Sequence, residues 1–201
     1  MTAPDTSGQL PSGSGSPRFS GEQFGRMLDE ANALDRAIYN AITETPTPTL
    51  DLPLTWISKA ATYSRMWLVI AAVLAIAGGN RGRRAAIRGV ASIGISSFTA
   101  DLAAKHLFPR TRPVRATPVV GRKARMPTSS SFPSGHAASA FAFAAVVTDD
   151  FPELSLPLYC MAAAVGYSRI HMGVHYPSDV VGGAVLGLAL GSNLRATFLP
   201  S

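Results

Sequence analysis

Charge is what this chain has least of. Only 15% of its 201 residues are charged, against the roughly 25% usual in soluble domains. The deficit is mainly acidic, with 12 Asp and Glu set against 18 Lys and Arg. A surface wetted all round is hard to build from that supply. The 47% of hydrophobic residues are gathered in blocks rather than spread at amphipathic spacing, which suits a chain surrounded by lipid. Cysteine is as scarce: Cys160 stands alone inside an apolar block, which excludes an intramolecular disulfide and a thiolate metal cluster. Near the N-terminus no basic segment precedes an apolar run, so no conventional signal peptide is expected and membrane insertion falls to internal helices. The net charge of +6 lies in two loops bordering apolar helices, where membrane flanks and an anion pocket account for it. No nucleic-acid partner is expected from that distribution.

Residues 1–20, rich in Ser, Gly and Pro, have almost nothing to bury and read as a disordered tail. From 22 to 42, Phe24, Met27, Leu28, Leu34, Ile38 and Ile42 form one helical stripe, with Glu22, Arg26, Asp29, Glu30, Asp35 and Arg36 on the remaining positions. This predicts an amphipathic helix at the membrane surface or packed across the bundle, ended by the Thr-Pro repeats after Thr45. Apolar helices follow at 57–79, 85–104, 135–148, 154–167 and 178–199. The expected fold is all-α: an integral membrane helical bundle of about five transmembrane helices plus the N-terminal amphipathic one, with residues 21–201 as a single membrane-embedded domain. Gly183, Gly187 and Gly191, four residues apart, suit close helix packing in lipid, either within the bundle (the expectation here) or in a dimer; the oligomeric state stays open.

This topology brings three polar clusters to one membrane face: Lys105 to Arg112-Pro113, then Pro133-Ser134-Gly135-His136, then Ser168-Arg169 through His175 to Asp179. Cleaving a phosphate ester needs cations for the transferring group's equatorial oxygens, an in-line nucleophile, and a proton for the leaving oxygen. Lys105, Arg112 and Arg169 supply the charge, and arginine adds a bidentate fork. Ser134-Gly135 opens a helix whose free N–H groups favour an anion. Asp179, four residues after His175, is placed to accept from one imidazole nitrogen, which fixes the tautomer and leaves the other nitrogen as a nucleophile. His136 is the natural general acid and later the base for water.

In their order and spacing, these clusters resemble the signature of the type 2 phosphatidic acid phosphatase (PAP2) superfamily: Lys-x6-Arg-Pro, Pro-Ser-Gly-His and Ser-Arg-x5-His-x3-Asp. The resemblance covers about 57–199. It implies a phosphohistidine formed on His175 and oriented by Asp179, leaving-group protonation by His136, and a phosphate held by Lys105, Arg112, Ser134, Gly135 and Arg169. It further implies no metal and no cofactor, in keeping with the lack of a carboxylate cluster, and a site facing away from the cytoplasm. The expected activity is hydrolysis of a phosphorylated membrane lipid in a bacterial plasma membrane: a polyprenyl phosphate or diphosphate, phosphatidic acid or phosphatidylglycerophosphate. The rivals are a phosphotransferase using the same site with an alcohol acceptor, a vanadate-type haloperoxidase (against which the apolar helices count), and a non-enzymatic membrane scaffold.

Other ionisable residues leave alternatives open. His171 either contacts substrate or fills a polar interface, the latter being the expectation, and His106 reads as a loop residue. Asp101, costly inside a membrane helix, pairs with an arginine of the site or faces water. Arg110, Arg115, Arg122, Lys123 and Arg125 attract anionic headgroups or are merely solvated. Arg81, Arg83, Arg84 and Arg88 mark their short loop as cytoplasmic, which with five spans places the N-terminus outside.

Overall fold

The computed structural model describes residues 21–107, 109–114 and 128–198. The expected tail at 1–20 and the loop cations Arg115, Arg122, Lys123 and Arg125 lie outside the described residues, as does Leu199. Helices account for nearly all the rest: α1 Gly21–Glu44, α2 Pro48–Ala61, α3 Arg65–Ala77, α4 Gly79–Phe98, the short α5 Lys105–Leu107, α6 Gly135–Asp150, α7 Ser155–His171 and α8 Pro177–Phe198. The chain divides into two compact units, Met1–Leu34 and Asp35–Ser201. The first holds the front of α1, where Phe24, Met27, Leu28 and Leu34 are exposed.

In the second unit α6 is the central helix, packed by α8, α4 and α7. Its Ala137, Ala138, Ala140, Ala142, Ala144 and Ala145 are all buried. A helix covered on every side needs no polar face, so its sequence carries no amphipathic stripe. Small side chains let the neighbours come close. A Cβ on Gly183 or Gly187 of α8 would collide with the carbonyl oxygen of Ser134 or Ala138, and one on Gly191 would lie 2.8 Å from the Ala145 Cβ. The glycine stripe therefore packs inside the bundle. Trp67 of α3 meets Phe143 of α6 with ring centroids 5.2 Å apart. Outward-facing Ile76, Ile87, Val69 and Leu156 are exposed, as lipid-facing side chains are.

Several helix bounds differ from the expectation. The first apolar helix begins at Pro48, not 57, because Pro48 occupies its first turn, where proline lacks no needed bond. It then breaks at Thr62–Ser64, where Tyr63 and Ser64 take left-handed backbone (φ 55° and 56°) and α3 sets off anew. Helix α4 starts at Gly79, so residues 80–84 form its first turns rather than a loop. Its arginines meet the end of α6: Arg88 contacts Asp150 at 3.0 Å and Asp149 at 3.4 Å, Arg84 contacts Asp150 at 2.8 Å, and Arg81 reaches Glu153 at 3.4 Å. Helix α7 runs on to His171, whose Nε2 lies 2.8 Å from Asp51 Oδ1 of α2. His171 is thus a buried helix-to-helix tie.

Among the described residues, one helical stretch, Pro48–Ala77, is long and apolar enough to cross a bilayer by length and composition. Helices α6 and α7 have 16 and 17 residues, about 25 Å at 1.5 Å per residue, short of a ~30 Å hydrocarbon core. Among the described residues the bundle is all-helical, as expected, and several of its helices are short, as expected too.

Two substitutions test this packing by thermal unfolding in detergent. Gly187→Val, forcing a side chain into the α6 backbone, is expected to cost roughly 1–3 kcal/mol, while Gly94→Ala, with nothing within 4 Å, stays within about 0.5 kcal/mol. Equal melting of the two would contradict the close approach. Asp51→Ala, which removes the Nε2 partner of buried His171, is expected to cost about 2 kcal/mol, and Asp51→Asn less.

Candidate active site

Four helix ends and one extended segment build the site. Ser134 caps α6: its hydroxyl accepts from the Ala137 N–H, while its own N–H donates to the Asp179 carbonyl at 2.8 Å. That bond joins the starts of α6 and α8. At the end of α7, Gly173 takes φ 67°, a left-handed turn that glycine adopts freely. The chain then folds back so that the N–H groups of Val174 and His175 donate to the Arg169 carbonyl at 3.0 and 3.3 Å. Pro177 opens α8, and Asp179 in its first turn accepts the Tyr176 N–H at 2.9 Å. Local hydrogen bonding alone thus fixes Arg169, His175 and Asp179 relative to one another.

The His175 ring is buried between opposite charges. Its Nδ1 faces Asp179 Oδ2 at 3.5 Å, and its Nε2 lies 3.2 Å from Nη1 of Arg112. A guanidinium only donates, so Nε2 is the unprotonated nitrogen and the proton resides on Nδ1, toward the carboxylate. Burial holds the imidazole pKa below its ordinary 6.5; the pull of Asp179 opposes this and Arg112 reinforces it. The ring is therefore neutral at physiological pH. Arg112 is fixed by carbonyl oxygens, donating to Ser129 at 2.9 Å, Val174 at 3.0 Å and Ser130 at 3.1 Å. Burial also lowers the Arg112 pKa, against the attraction of Asp179 and Asp101. Arg169 donates to Ser58 Oγ of α2 at 2.7 Å, and its buried Nε has no hydrogen-bond partner among the described residues.

Arg112, Gly135, His136, Arg169 and His175 converge on one cavity of about 380 Å³. Of the other predicted residues, Asp179 stands behind His175, fully buried. Ser134 is buried too and spends its hydroxyl on the cap, so it shapes the helix terminus rather than lining the cavity. The Lys105 backbone opens α5; its side chain lies outside the described atoms. Asp101 lines the cavity from a π-helical stretch, Thr99–Ala104, an irregularity often found at functional sites. His106 is exposed and is not among the residues lining the cavity.

Several participants were missed. Ala61, Tyr63, Ser64 and Trp67 form a wall of the cavity, supplied by the break between α2 and α3. Arg110, read as a headgroup attractor or solvated charge, instead binds Asp179 Oδ1 at 2.8 Å and Asp35 Oδ2 at 2.7 Å. Partial burial pulls its pKa down, but the two carboxylates outweigh that and the net direction is upward. Asp35, assigned to a polar face, is buried with Tyr39 and Thr43. Those three polar residues at four-residue spacing were the available signal that this face of α1 is specialised.

Comparison with known proteins agrees with this geometry. The PAP2 superfamily matches residues 85–198. Decaprenylphosphoryl-5-phosphoribose phosphatase of Mycobacterium tuberculosis is 35% identical over 126 residues, covering 63% of this chain and 68% of that protein. Undecaprenyl-diphosphatase of Sulfolobus acidocaldarius is 29% identical over 153 residues, covering 75% and 71%. Among solved structures, the transmembrane PAP2-type phosphatidylglycerolphosphate phosphatase of Bacillus subtilis superposes with a TM-score of 0.66 at 24% identity, over 84% of this chain and 86% of that one. These relatives are phosphatases of phosphorylated lipids, and the shared fold is a transmembrane one. From its sequence match, its fold and its converged site, this chain is an integral membrane protein of the PAP2 superfamily.

Proposed function

We propose that this protein is a lipid phosphatase that hydrolyses its substrate through a phosphohistidine on His175. The carrying observation is the placement of the His175 ring, with Nδ1 toward Asp179 and Nε2 beside a guanidinium at the cavity wall. In the first step Nε2 attacks phosphorus in line, the N–P bond forms, and the bond from phosphorus to the lipid oxygen breaks. His136, on the same cavity, gives its proton to the departing oxygen. The imidazolium that develops is stabilised by Asp179. In the second step His136 takes a proton from water, the resulting hydroxide attacks phosphorus, and phosphate leaves with His175 restored.

Arg112, Arg169 and Lys105 would neutralise the equatorial oxygens, with the free N–H groups at the Gly135 end of α6. None of these steps calls on a metal or cofactor. Likeness to a decaprenylphosphoryl-5-phosphoribose phosphatase supports a polyprenyl-linked phosphate as the first substrate to test, ahead of diphosphates and glycerophospholipids. We place the site on the extracytoplasmic face of a bacterial plasma membrane, with residues 21–201 as one domain and about five crossings. The orientation rests on the arginines of α4, at the opposite end of α6 from His136.

The test is phosphate release by detergent-purified protein in excess EDTA. The panel comprises decaprenyl and undecaprenyl mono- and diphosphates, phosphatidic acid and phosphatidylglycerophosphate. Chelator-resistant release is expected, falling at least about 10³-fold in His175→Ala. Release abolished by EDTA would refute the mechanism.

The pH profile gives an independent check. The nucleophile works when neutral, and burial lowers its pKa, so the acid limb of kcat/KM is expected below pH 6.5. An acid limb above that value would show His175 to be stabilised as a cation in the free enzyme.

A further inference from the structure

Behind Asp179 a chain of charges continues onto a helix that the family match at residues 85–198 does not include. Arg110 stands between two carboxylates: Nη1 donates to Asp179 Oδ1 at 2.8 Å and Nη2 to Asp35 Oδ2 at 2.7 Å. Asp35, on α1, is only 6% exposed. It accepts the Ser178 backbone N–H at 2.9 Å and the Ser178 hydroxyl at 2.7 Å, while Arg110 Nη1 donates to that hydroxyl oxygen at 2.6 Å. The Arg110 guanidinium also lies 4.4 Å from the centroid of the Tyr176 ring, which packs against Tyr39 of α1 at 5.3 Å. Arg110 does not line the cavity. Its Nη1 and Nη2 donate to Asp35, Ser178 and Asp179, so its link to the chemistry runs through Asp179.

We propose that Asp35 and Arg110 are positioning residues for the hydrolysis, two acids competing for one cation so that Arg110 sets how much of the Asp179 charge His175 feels. The inference rests on the phosphohistidine reading above. With one oxygen held by Arg110 and the other by the Tyr176 N–H, Asp179 cannot rotate away from the imidazole. A carboxylate fully neutralised by its arginine would stabilise the developing imidazolium poorly. Asp35 prevents this by drawing on the same guanidinium. In this way α1, lacking any residue of the signature, takes part in tuning the nucleophile.

The consequences differ in sign. Replacing Arg110 by glutamine removes a positive charge near His175 and favours the imidazolium, so its titration midpoint rises. Replacing Asp35 by asparagine removes one of the two carboxylates that share Arg110, and the midpoint falls. A bystander clamp would predict lost stability and, by simple charge loss, similar shifts, but an unchanged kcat in the folded variants. The other charged and titratable groups facing His175 are the same in both variants: Asp179 from α8, Arg112 from the segment before Pro113, Arg169 from α7, and, lining the shared cavity, His136 of α6 and Asp101 of the π-helical stretch.

The experiment is an NMR titration of isotope-labelled histidine in the full-length protein in detergent, with the His175 signal assigned by its loss in His175→Gln. Arg110→Gln, Arg110→Lys and Asp35→Asn are compared with the parent. The same samples are assayed for kcat and KM with dioctanoyl phosphatidic acid. Expected are opposite shifts of the midpoint in Arg110→Gln and Asp35→Asn, and a kcat lowered about tenfold in Arg110→Gln with KM within about twofold. Arg110→Lys, keeping the charge and losing the fork, should recover part of kcat. Unmoved midpoints, shifts in the same direction, or an unchanged kcat in folded Arg110→Gln overturn the proposal. Should Arg110→Gln not fold, a midpoint in Asp35→Asn that fails to fall overturns it alone. The titration needs no turnover, so a parent protein inert toward every lipid would refute the hydrolase reading while this test still reports.

Discussion

The contact between the backbones of α6 and α8 is the constraint on which the other features of this structure depend. In lipid, two helices gain nothing by hiding apolar surface from water, so association draws on close packing. Gly183, Gly187 and Gly191 on one side and the alanines of α6 on the other leave no side-chain bulk between them. Once the helices touch, the bond from the Ser134 N–H to the Asp179 carbonyl sets their starts level. His136, two residues into α6, and His175, just ahead of α8, then face one cavity. A bulkier interface would separate the groups that supply proton and nucleophile.

The two ends of the bundle handle charge in opposite ways. At the far end, Arg81, Arg84 and Arg88 meet Glu153, Asp150 and Asp149, and the charges largely cancel. At the site end, Arg112 and Arg169 are held mainly by neutral oxygens, from carbonyls and the Ser58 hydroxyl. The first arrangement suits a helix junction. The second leaves positive charge only partly offset, by Asp101 and Asp179, where an anion has room to enter.

Much of this was legible in the sequence, for identifiable reasons. The start of α6 at Gly135 followed from the Pro-Ser-Gly turn, and the convergence of His136, Arg169 and His175 from helix count and connectivity. What could not be read depended on partners distant along the chain. Asp35 looks like any polar position of an amphipathic helix until Arg110, 75 residues away, is brought against it. The break at Tyr63 and Ser64 was hidden because neither is a residue that favours left-handed backbone. The Thr-Pro repeats read only as the end of a helix, although Pro48 occupies the first turn of the next one.

The cradle of carbonyls around Arg112 has a consequence for the thermodynamics of occupancy. An arginine free in solvent surrenders rotamer freedom when it clasps a ligand, and one paired with a carboxylate must first break that pair. Arg112 does neither, because the backbone has already immobilised it at Ser129, Ser130 and Val174. The ordering entropy was spent when the protein folded, and the arriving anion meets a guanidinium with nothing left to freeze.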